Sequence, residues 1–199
     1  MKSMWNKRFG EEPELYGSAP NAYLASVSHR FLPGGRLLGL AEGQGRNALF
    51  LARRGHPVTA VDSASVAMAQ LSVRADKEGL AVETVVADLA DYQPEPCDGV
   101  FAIYAHMAPM LRTVAYRQAW DALRPGGVFV LEAFSPKQLG RGTGGPPRLD
   151  FLFGAADLRE LFPDATFEEL EELEVELDEG ALHRGVAAVV RMVAVKPAD

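Results

Sequence analysis

Short apolar runs alternate with stretches of helical periodicity between residues 37 and 134. The pattern predicts strands at 37–41, 57–61, 81–86, 98–104 and 127–134, separated by helices at 46–54, 65–78 and 110–123. Strands that are apolar at nearly every position are typical of a parallel sheet covered by helices on both faces. The alternation of strand and helix therefore predicts an α/β fold.

The last third of the chain has a different pattern. Leucine and valine alternate with glutamate over 172–177, a turn follows at 178–180, and an apolar run covers 186–195. This pattern predicts an antiparallel hairpin at the edge of the sheet, whose row of glutamates disfavours pairing with another chain. The glycine-rich stretch 140–147 is predicted to be a surface loop or a gate over a substrate.

The composition sets the class of protein. With 199 residues and 48% hydrophobic content, the chain is long enough for one full core. We expect a single domain with an N-terminal cap or lid at 1–35, a cofactor-binding half at 36–134, and a glycine-rich loop, helix and hairpin at 135–199.

Charge and cysteine content exclude several functions. The net charge of -7 argues against binding to nucleic acid, because no basic run is present to replace the counterions around phosphates. One cysteine gives no disulfide framework, and we find no signal core and no apolar span of membrane length. These features predict a cytoplasmic monomer or homodimer that binds a small molecule and no membrane.

A glycine loop between a strand and a helix carries the main functional signal. Gly43-Gln44-Gly45 follows the first strand, and Asp62 ends the second, which is how α/β sheets hold a nucleoside-bearing cofactor. With Ala48, the loop fits the loose dinucleotide pattern of an NAD(P)-dependent oxidoreductase. S-adenosylmethionine is favoured by Asp88 at the end of the third strand and by the Pro-Gly-Gly sequence before the fifth, and no hydride-transfer pair is visible. A non-catalytic S-adenosylmethionine-binding protein is the third interpretation.

Four motifs resemble those of class I S-adenosylmethionine-dependent methyltransferases, and more narrowly the small bacterial tellurite-resistance and thiopurine-type enzymes. They are Trp5–Phe9, Tyr16-Gly17 with Pro20-Asn21, Ala41–Asn47 and Leu123–Gly127. The resemblance implies a Rossmann-like sheet of seven mostly parallel strands with an antiparallel C-terminal strand. It also implies methyl transfer to a small molecule, possibly a thiol or a chalcogen oxyanion, with S-adenosylhomocysteine as the product.

Cofactor contacts follow from matching this sequence to those motifs. Gly39 stands where many members carry aspartate and Ala41 where they carry the first glycine, so Glu42 is the nearest replacement for the missing carboxylate. Arg46 is a candidate for a charged hydrogen bond to the cofactor carboxylate. The implied contacts are Glu42, Gly43 and Gly45 with the methionine portion, Asp62 beside Ser63 with the ribose, and Asp88 with Leu89 at the adenine. Tyr16 and Trp5 are predicted either to form an aromatic lid over the sulfonium, because a π face attracts a cation, or to pack the N-terminal segment on the core.

Candidates for the substrate side lie beyond the fourth strand and near the hairpin turn. His106, two residues after Tyr104, is placed at the carboxyl end of a strand, where open α/β sheets bind ligands. We predict that both contact the substrate, that His106 accepts a proton if the acceptor is a hydroxyl or an amine, and that His183 folds over the same edge. No metal site is predicted.

Overall fold

The computed structural model describes residues 2–12, 15–180 and 183–198. Its helices are α1 (Lys2–Glu11), α2 (Ala22–Val27), α3 (Arg46–Arg53), α4 (Ser65–Glu78), α5 (Pro109–Ala122) and α6 (Ala155–Leu161). Its strands are β1 (Leu37–Leu40), β2 (Val58–Asp62), β3 (Val82–Val86), β4 (Cys97–Ile103), β5 (Leu123–Phe134), β6 (Thr166–Asp178) and β7 (Arg184–Val195). Short 3-10 helices cover Ser28–Arg30, Pro136–Gln138 and Leu149–Phe151.

The seven strands form one sheet in the order β3-β2-β1-β4-β5-β7-β6. Strands β1 to β5 pair in parallel, whereas β7 runs antiparallel to both of its neighbours. The structure therefore confirms the predicted Rossmann-like sheet and its edge hairpin. The strand order reverses between β1 and β4, and open α/β sheets bind their ligands at the carboxyl ends of the strands at such a reversal.

Both faces of the sheet are buried by helices, which explains the nearly continuous apolar runs. Along β4, Val100 and Ala102 face the core shared with α5 and α6, while Phe101 and Ile103 face the core shared with α2, α3 and α4. Alternate side chains thus enter opposite cores, and both must be apolar. The prediction of helices on both faces is confirmed.

Two strands extend beyond their predicted limits. Strand β6 begins at Thr166, before the alternating segment, because an irregularity between Phe167 and Glu169 interrupts the period-two pattern. Strand β5 already begins at Leu123, which pairs with Cys97 across a second irregularity. Local breaks in register hide strand residues from a search for strict alternation.

Helix α1 packs on the first turns of α4. The side-chain oxygen of Asn6 accepts a hydrogen bond from the Val66 amide at 3.1 Å, and the Gln70 side chain donates to the Phe9 carbonyl at 3.0 Å. The N-terminal segment is therefore placed next to the end of β2. No helix in the described part of the chain is long and apolar enough to cross a membrane.

Candidate active site

Two strained residues mark the carboxyl edge of the sheet. Ala41 follows β1 with φ of +54°, Tyr104 follows β4 with φ of +52°, and they are the only non-glycine residues with positive φ in the described ranges. Such conformations are costly for residues with a Cβ and concentrate at functional sites. Both lie where the strand order reverses, so the backbone strain coincides with the expected ligand edge.

The glycine loop after β1 needs its glycines for conformation and for space. Gly43 and Gly45 have φ of +51° and +74°, a region that favours glycine. A Cβ at Gly43 would be 3.1 Å from Cζ of Phe9, and one at Gly45 would overlap the side chain of Leu71. The glycine loop therefore packs directly against both α1 and α4.

Asp62 joins the end of β2 to this loop. One carboxylate oxygen accepts from the Gly43 amide at 2.9 Å, and the other accepts from the Ala64 amide at 2.8 Å, just before α4 begins. Burial raises the pKa of Asp62, and the backbone hydrogen bonds, including one from neighbouring Ser63, oppose that rise. Each oxygen retains a lone pair, so Asp62 can hold the loop and still accept from ligand hydroxyls.

The end of β3 carries the third acidic position of this edge. The side chain of Asp88 is exposed and accepts from the Ala90 amide at 3.0 Å, whereas Leu89 is buried in the core. Since β1, β2 and β3 are adjacent and parallel, the carboxylates of Glu42, Asp62 and Asp88 follow three neighbouring strand ends. The edge therefore offers acceptors for hydroxyl, amine and cationic groups.

Glu42 turns back over strand β1. Its Oε2 accepts from the Ala48 amide at 3.1 Å in the first turn of α3. Burial raises the pKa of Glu42 and the charge of Asp62 adds to the rise, while the Ala48 hydrogen bond and the charge of Arg46 oppose it; the net pKa is about 8. The carboxyl group is thus largely protonated at pH 7, and a cation placed beside it would favour its ionised form.

Arg46, the residue after the glycine loop, is bonded to the hairpin turn and to the N-terminal segment. Its guanidinium forms an ion pair with Glu179 in the turn between β6 and β7, and it donates to the Ala19 carbonyl at 3.2 Å. Both side chains of the pair are about nine-tenths buried. The charge of Arg46 is therefore paired with the hairpin turn in this structure, and its bond to the cofactor carboxylate stays a prediction.

An aromatic wall closes the other half of the edge. Five rings lie in a continuous row, in the order Tyr16, His183, Tyr104, Phe134 and His106. The centroids of successive rings are 4.7, 4.6, 4.6 and 5.5 Å apart. The structure therefore brings together all the predicted substrate residues and the predicted lid residue Tyr16. Tyrosine faces attract cations, and the wall also provides an apolar surface.

His106 is held by the backbone on both sides of its ring. The Phe134 amide donates to Nε2 at 3.1 Å, so the neutral ring carries its proton on Nδ1, which donates to the Phe151 carbonyl at 3.0 Å. Burial lowers the pKa of His106 to about 4. In this structure Nε2 is therefore occupied and the ring joins β5 to the 149–151 segment, while proton acceptance from a substrate stays a prediction.

His183 has a free nitrogen. The side chain is buried, and Nδ1 has no hydrogen-bond partner among the described residues. Burial lowers the pKa of His183 to about 3, with smaller contributions from Arg46 and His106. A buried, neutral imidazole with an unused nitrogen can exchange a hydrogen bond with a ligand, because leaving such a group unsatisfied is costly.

A buried carboxylate behind the wall was missed by the sequence analysis. Glu132 is 1% exposed; its Oε1 accepts from the Tyr104 hydroxyl at 2.8 Å and from Asn21 Nδ2 at 2.7 Å, and its Oε2 accepts from Arg191 Nε at 2.7 Å. The signal in the sequence was a single acid within the apolar run 128–134. Buried carboxylates are rare unless they are paired, so that position is unusual for a strand.

A cavity of about 450 Å³ lies beside this network. It is bounded by residues 16–20 and 175–180, and Glu132, Arg46 and Arg191 also line it. Its volume falls within the range of small-molecule sites. Among the described residues, no group of three or more histidine, cysteine, aspartate or glutamate side chains could hold a metal ion.

The glycine-rich loop 140–147 is attached next to the wall. Thr143 donates through its hydroxyl to the Val186 carbonyl at 3.0 Å and accepts from the Gln138 side chain at 2.9 Å. A Cβ at Gly145 would be 2.9 Å from Cδ2 of Phe134. The loop is therefore anchored to β7 at the back of Phe134.

Part of the chain matches a known domain family, and the fold is shared with solved structures. Residues 37–127 match the family model described as a methyltransferase domain. TehB from Haemophilus influenzae is similar in structure, with a TM-score of 0.76 and 22% identity over 98% of this chain and 66% of that one. No curated protein sequence matches the chain.

Two further solved structures have the same fold. One, from work on the conversion of a disulfide bond into a thioacetal group in echinomycin biosynthesis, has a TM-score of 0.76 and 22% identity over 99% of this chain and 93% of that one. The other is the Burkholderia thailandensis 1,6-didemethyltoxoflavin-N1-methyltransferase, with bound 1,6-didemethyltoxoflavin and S-adenosylhomocysteine. Its TM-score is 0.62, with 20% identity over 87% of this chain and 74% of that one.

Proposed function

We propose that this chain, whose residues 37–127 match a methyltransferase domain, transfers a methyl group from S-adenosylmethionine to a small anionic acceptor. The observation that carries the proposal is the hydrogen bond that the Gly43 amide donates to the Asp62 carboxylate at 2.9 Å. It fixes the glycine loop and a carboxylate together at the end of β2, where a ribose would be recognised.

The acidic edge fits the parts of S-adenosylmethionine. Asp62 and the neighbouring Ser63 would take the ribose hydroxyls, and Asp88 with Leu89 would take the adenine. The positive-φ glycines 43 and 45 would allow the backbone to approach the methionine portion. Tyr16 would lie over the sulfonium. The donors and acceptors present therefore match the groups that the cofactor offers.

Glu42 is the group expected to respond to the charge of the cofactor. Because the group is buried, its raised pKa favours the neutral carboxyl form at pH 7 when no ligand is bound. A bound sulfonium or ammonium would stabilise the carboxylate form and offset the burial. Glu42 would then replace the aspartate that many related proteins carry at the position of Gly39.

Among the described residues on the acceptor side, we find no group suited to remove a proton. His106 has both nitrogens bonded, the pKa of His183 is lowered to about 3, and Glu132 is shared among three donors. A hydroxyl or amine acceptor would need a base, whereas a thiolate or chalcogen oxyanion needs none. These observations support an acceptor that arrives as a soft anion, with His183 Nδ1 donating to it as the neutral N–H tautomer.

Methyl transfer of this kind depends mainly on position. Bound S-adenosylmethionine supplies an activated methyl group and its own leaving group. The protein would hold the acceptor in line with that methyl by the wall of Tyr16, His183 and Tyr104, and the cap would exclude water. Correct positioning contributes on the order of 7–11 kcal/mol in such reactions.

Calorimetric titration with S-adenosylmethionine, S-adenosylhomocysteine and NADH tests the cofactor assignment. We expect one-site binding of the first two and none of NADH. Asp62→Ala should reduce the affinity at least about tenfold through loss of hydrogen bonds to a charged group. Asp91→Ala, an exposed acid on the same edge, is the matched control. NADH binding alone would support an oxidoreductase and contradict the proposal.

Isotope transfer from labelled S-adenosylmethionine to panels of thiols, chalcogen oxyanions, phenols and amines tests the acceptor class. We expect labelled product from the soft anions. The rate should rise with pH according to the pKa of the acceptor rather than that of a histidine of the protein. His183→Ala should raise the acceptor KM. Transfer restricted to amines or alcohols would contradict an anionic acceptor.

A further inference from the structure

The turn between β6 and β7 is seated on the N-terminal cap. Gly180 has φ of +74°, and a Cβ there would be 2.8 Å from the carbonyl carbon of Tyr16 and 2.9 Å from the Gly17 nitrogen. Only a glycine permits such close approach of two backbones. The two segments that carry His183 and Tyr16 are therefore in direct contact.

Glu179 binds three parts of the chain from this turn. Its Oε1 accepts from Asn21 Nδ2 at 3.0 Å and from the Ala22 amide at 3.2 Å. Its Oε2 pairs with Arg46, the residue that directly follows the glycine loop. Its own amide donates to the His183 carbonyl at 2.8 Å and closes the turn.

Asn21 connects Glu179 to the buried network. Its Nδ2 donates to both Glu179 and Glu132, its Oδ1 accepts from the Leu24 amide at 2.8 Å, and its own amide donates to Asn47 at 2.9 Å. Every polar group of this side chain is thus used. The turn is held to α2, α3 and β5 by one continuous set of hydrogen bonds.

The consequence concerns the acceptor side of the wall. His183 contacts Tyr16 and Tyr104, so the position of its ring depends on where the turn sits. We propose that Glu179 is a positioning residue: its ion pair with Arg46 and its bonds to the cap hold His183 and Tyr16 in place for the acceptor. The inference rests on the proposed methyltransferase function.

The burial of the Glu179–Arg46 ion pair makes the turn sensitive to a substitution of Glu179. Both charges are mostly buried, and removing one partner of a buried pair leaves the other uncompensated. Glu179→Gln keeps the size and an oxygen for the Ala22 amide but removes the charge. Glu168→Gln makes the same change at another glutamate of β6, which pairs with Arg30 at the surface and does not line the cavity. Both side chains of that pair are more than a third exposed, so this variant is the matched control.

Steady-state kinetics with an acceptor identified for the wild type, together with S-adenosylhomocysteine titration, test the role. We expect Glu179→Gln to raise the acceptor KM at least about tenfold with kcat and S-adenosylhomocysteine affinity within about twofold of wild type. Glu168→Gln should match wild type in all three. Hydrogen exchange of the amides at 16–22 and 183–190 should be faster in Glu179→Gln only.

Three results would overturn the inference. One is an unchanged acceptor KM in a variant whose turn exchanges faster. Another is an equal loss of acceptor and cofactor affinity, which would show a general effect on the glycine loop. The third is a wild type that transfers no methyl group to any acceptor, which removes the proposed function itself. If Glu179→Gln does not fold, Arg46→Met with Glu179→Leu replaces the pair by apolar groups and should show the same KM effect.

Discussion

The side chain of Glu42 packs against the backbone of Gly39 in β1. A Cβ built at Gly39 would be 2.6 Å from Cγ of Glu42 and 2.5 Å from Cζ of Phe101. The glycine in the middle of β1 is therefore needed for space rather than for conformation, since β1 is regular there. The carboxyl group at this end of the strand comes from the loop and not from the strand itself.

The first prediction concerns this contact. Gly39→Ala should destabilise the protein by about 1–3 kcal/mol, because the added methyl overlaps the side chains of Glu42 and Phe101. Adding Glu42→Ala should recover part of the loss, since it removes one of the two clashes. Urea unfolding of both single variants and the double variant measures this coupling; strictly additive losses would contradict the contact.

The second prediction is a pH dependence from Glu42. Its pKa is raised from 4.5 to about 8, so the folded protein retains a proton that the unfolded chain has released at neutral pH. Stability from the protonated carboxyl is complete below pH 4.5 and is lost as the pH rises through 8. The Tm of the wild type should fall between pH 6 and 9 relative to that of Glu42→Gln, and parallel curves would contradict the assignment.

Cofactor binding should show the opposite trend. If a cation of S-adenosylmethionine needs the ionised Glu42, its affinity should increase up to about tenfold per pH unit below pH 8 and level off above it. Glu42→Gln should flatten the curve. Calorimetry across pH 6–9 gives the measurement, with a neutral nucleoside such as adenosine as the pH-independent control ligand.

The third prediction separates a structural from a catalytic role for His106. His106→Ala leaves the Phe134 amide and the Phe151 carbonyl without their partner, and each unsatisfied buried group costs about 1–3 kcal/mol. Stability should fall, while the pH profile of kcat keeps its shape because no proton passes through this ring. If the variant lost the pH dependence of kcat that the wild type shows, His106 would instead be a proton acceptor.

The fourth prediction concerns Glu132. Glu132→Gln leaves the Arg191 guanidinium beside a neutral group in a buried place, which should cost about 3 kcal/mol of unfolding free energy. The Tyr104 ring should also lose its fixed position. Glu132→Leu with Arg191→Met should be closer to wild type in stability, as measured by urea unfolding. A neutral effect of the single variant would show that the network is not stabilising.

Much of the fold could be predicted from local patterns. The apolar runs around β1, β2, β4 and β5 identify buried strands because both faces of the sheet are covered, and Gly43 and Gly45 identify the loop because only glycine fits it. The acids at the strand ends, Asp62 and Asp88, follow from the same order of elements. The start of β6 and the first residues of β5 were missed, because irregular register breaks the period-two pattern there.

The sequence by itself determined the sheet, the glycine loop and the acidic edge, because each depends on neighbouring residues and on strand order. The tertiary structure alone decided the partners of Arg46, His106 and Glu132. Arg46 meets Glu179 across 133 positions, and Asn21 meets Glu132 across 111. Such pairings depend on where distant segments meet, and the charge or hydrogen-bonding capacity of a residue does not show which partner it will find.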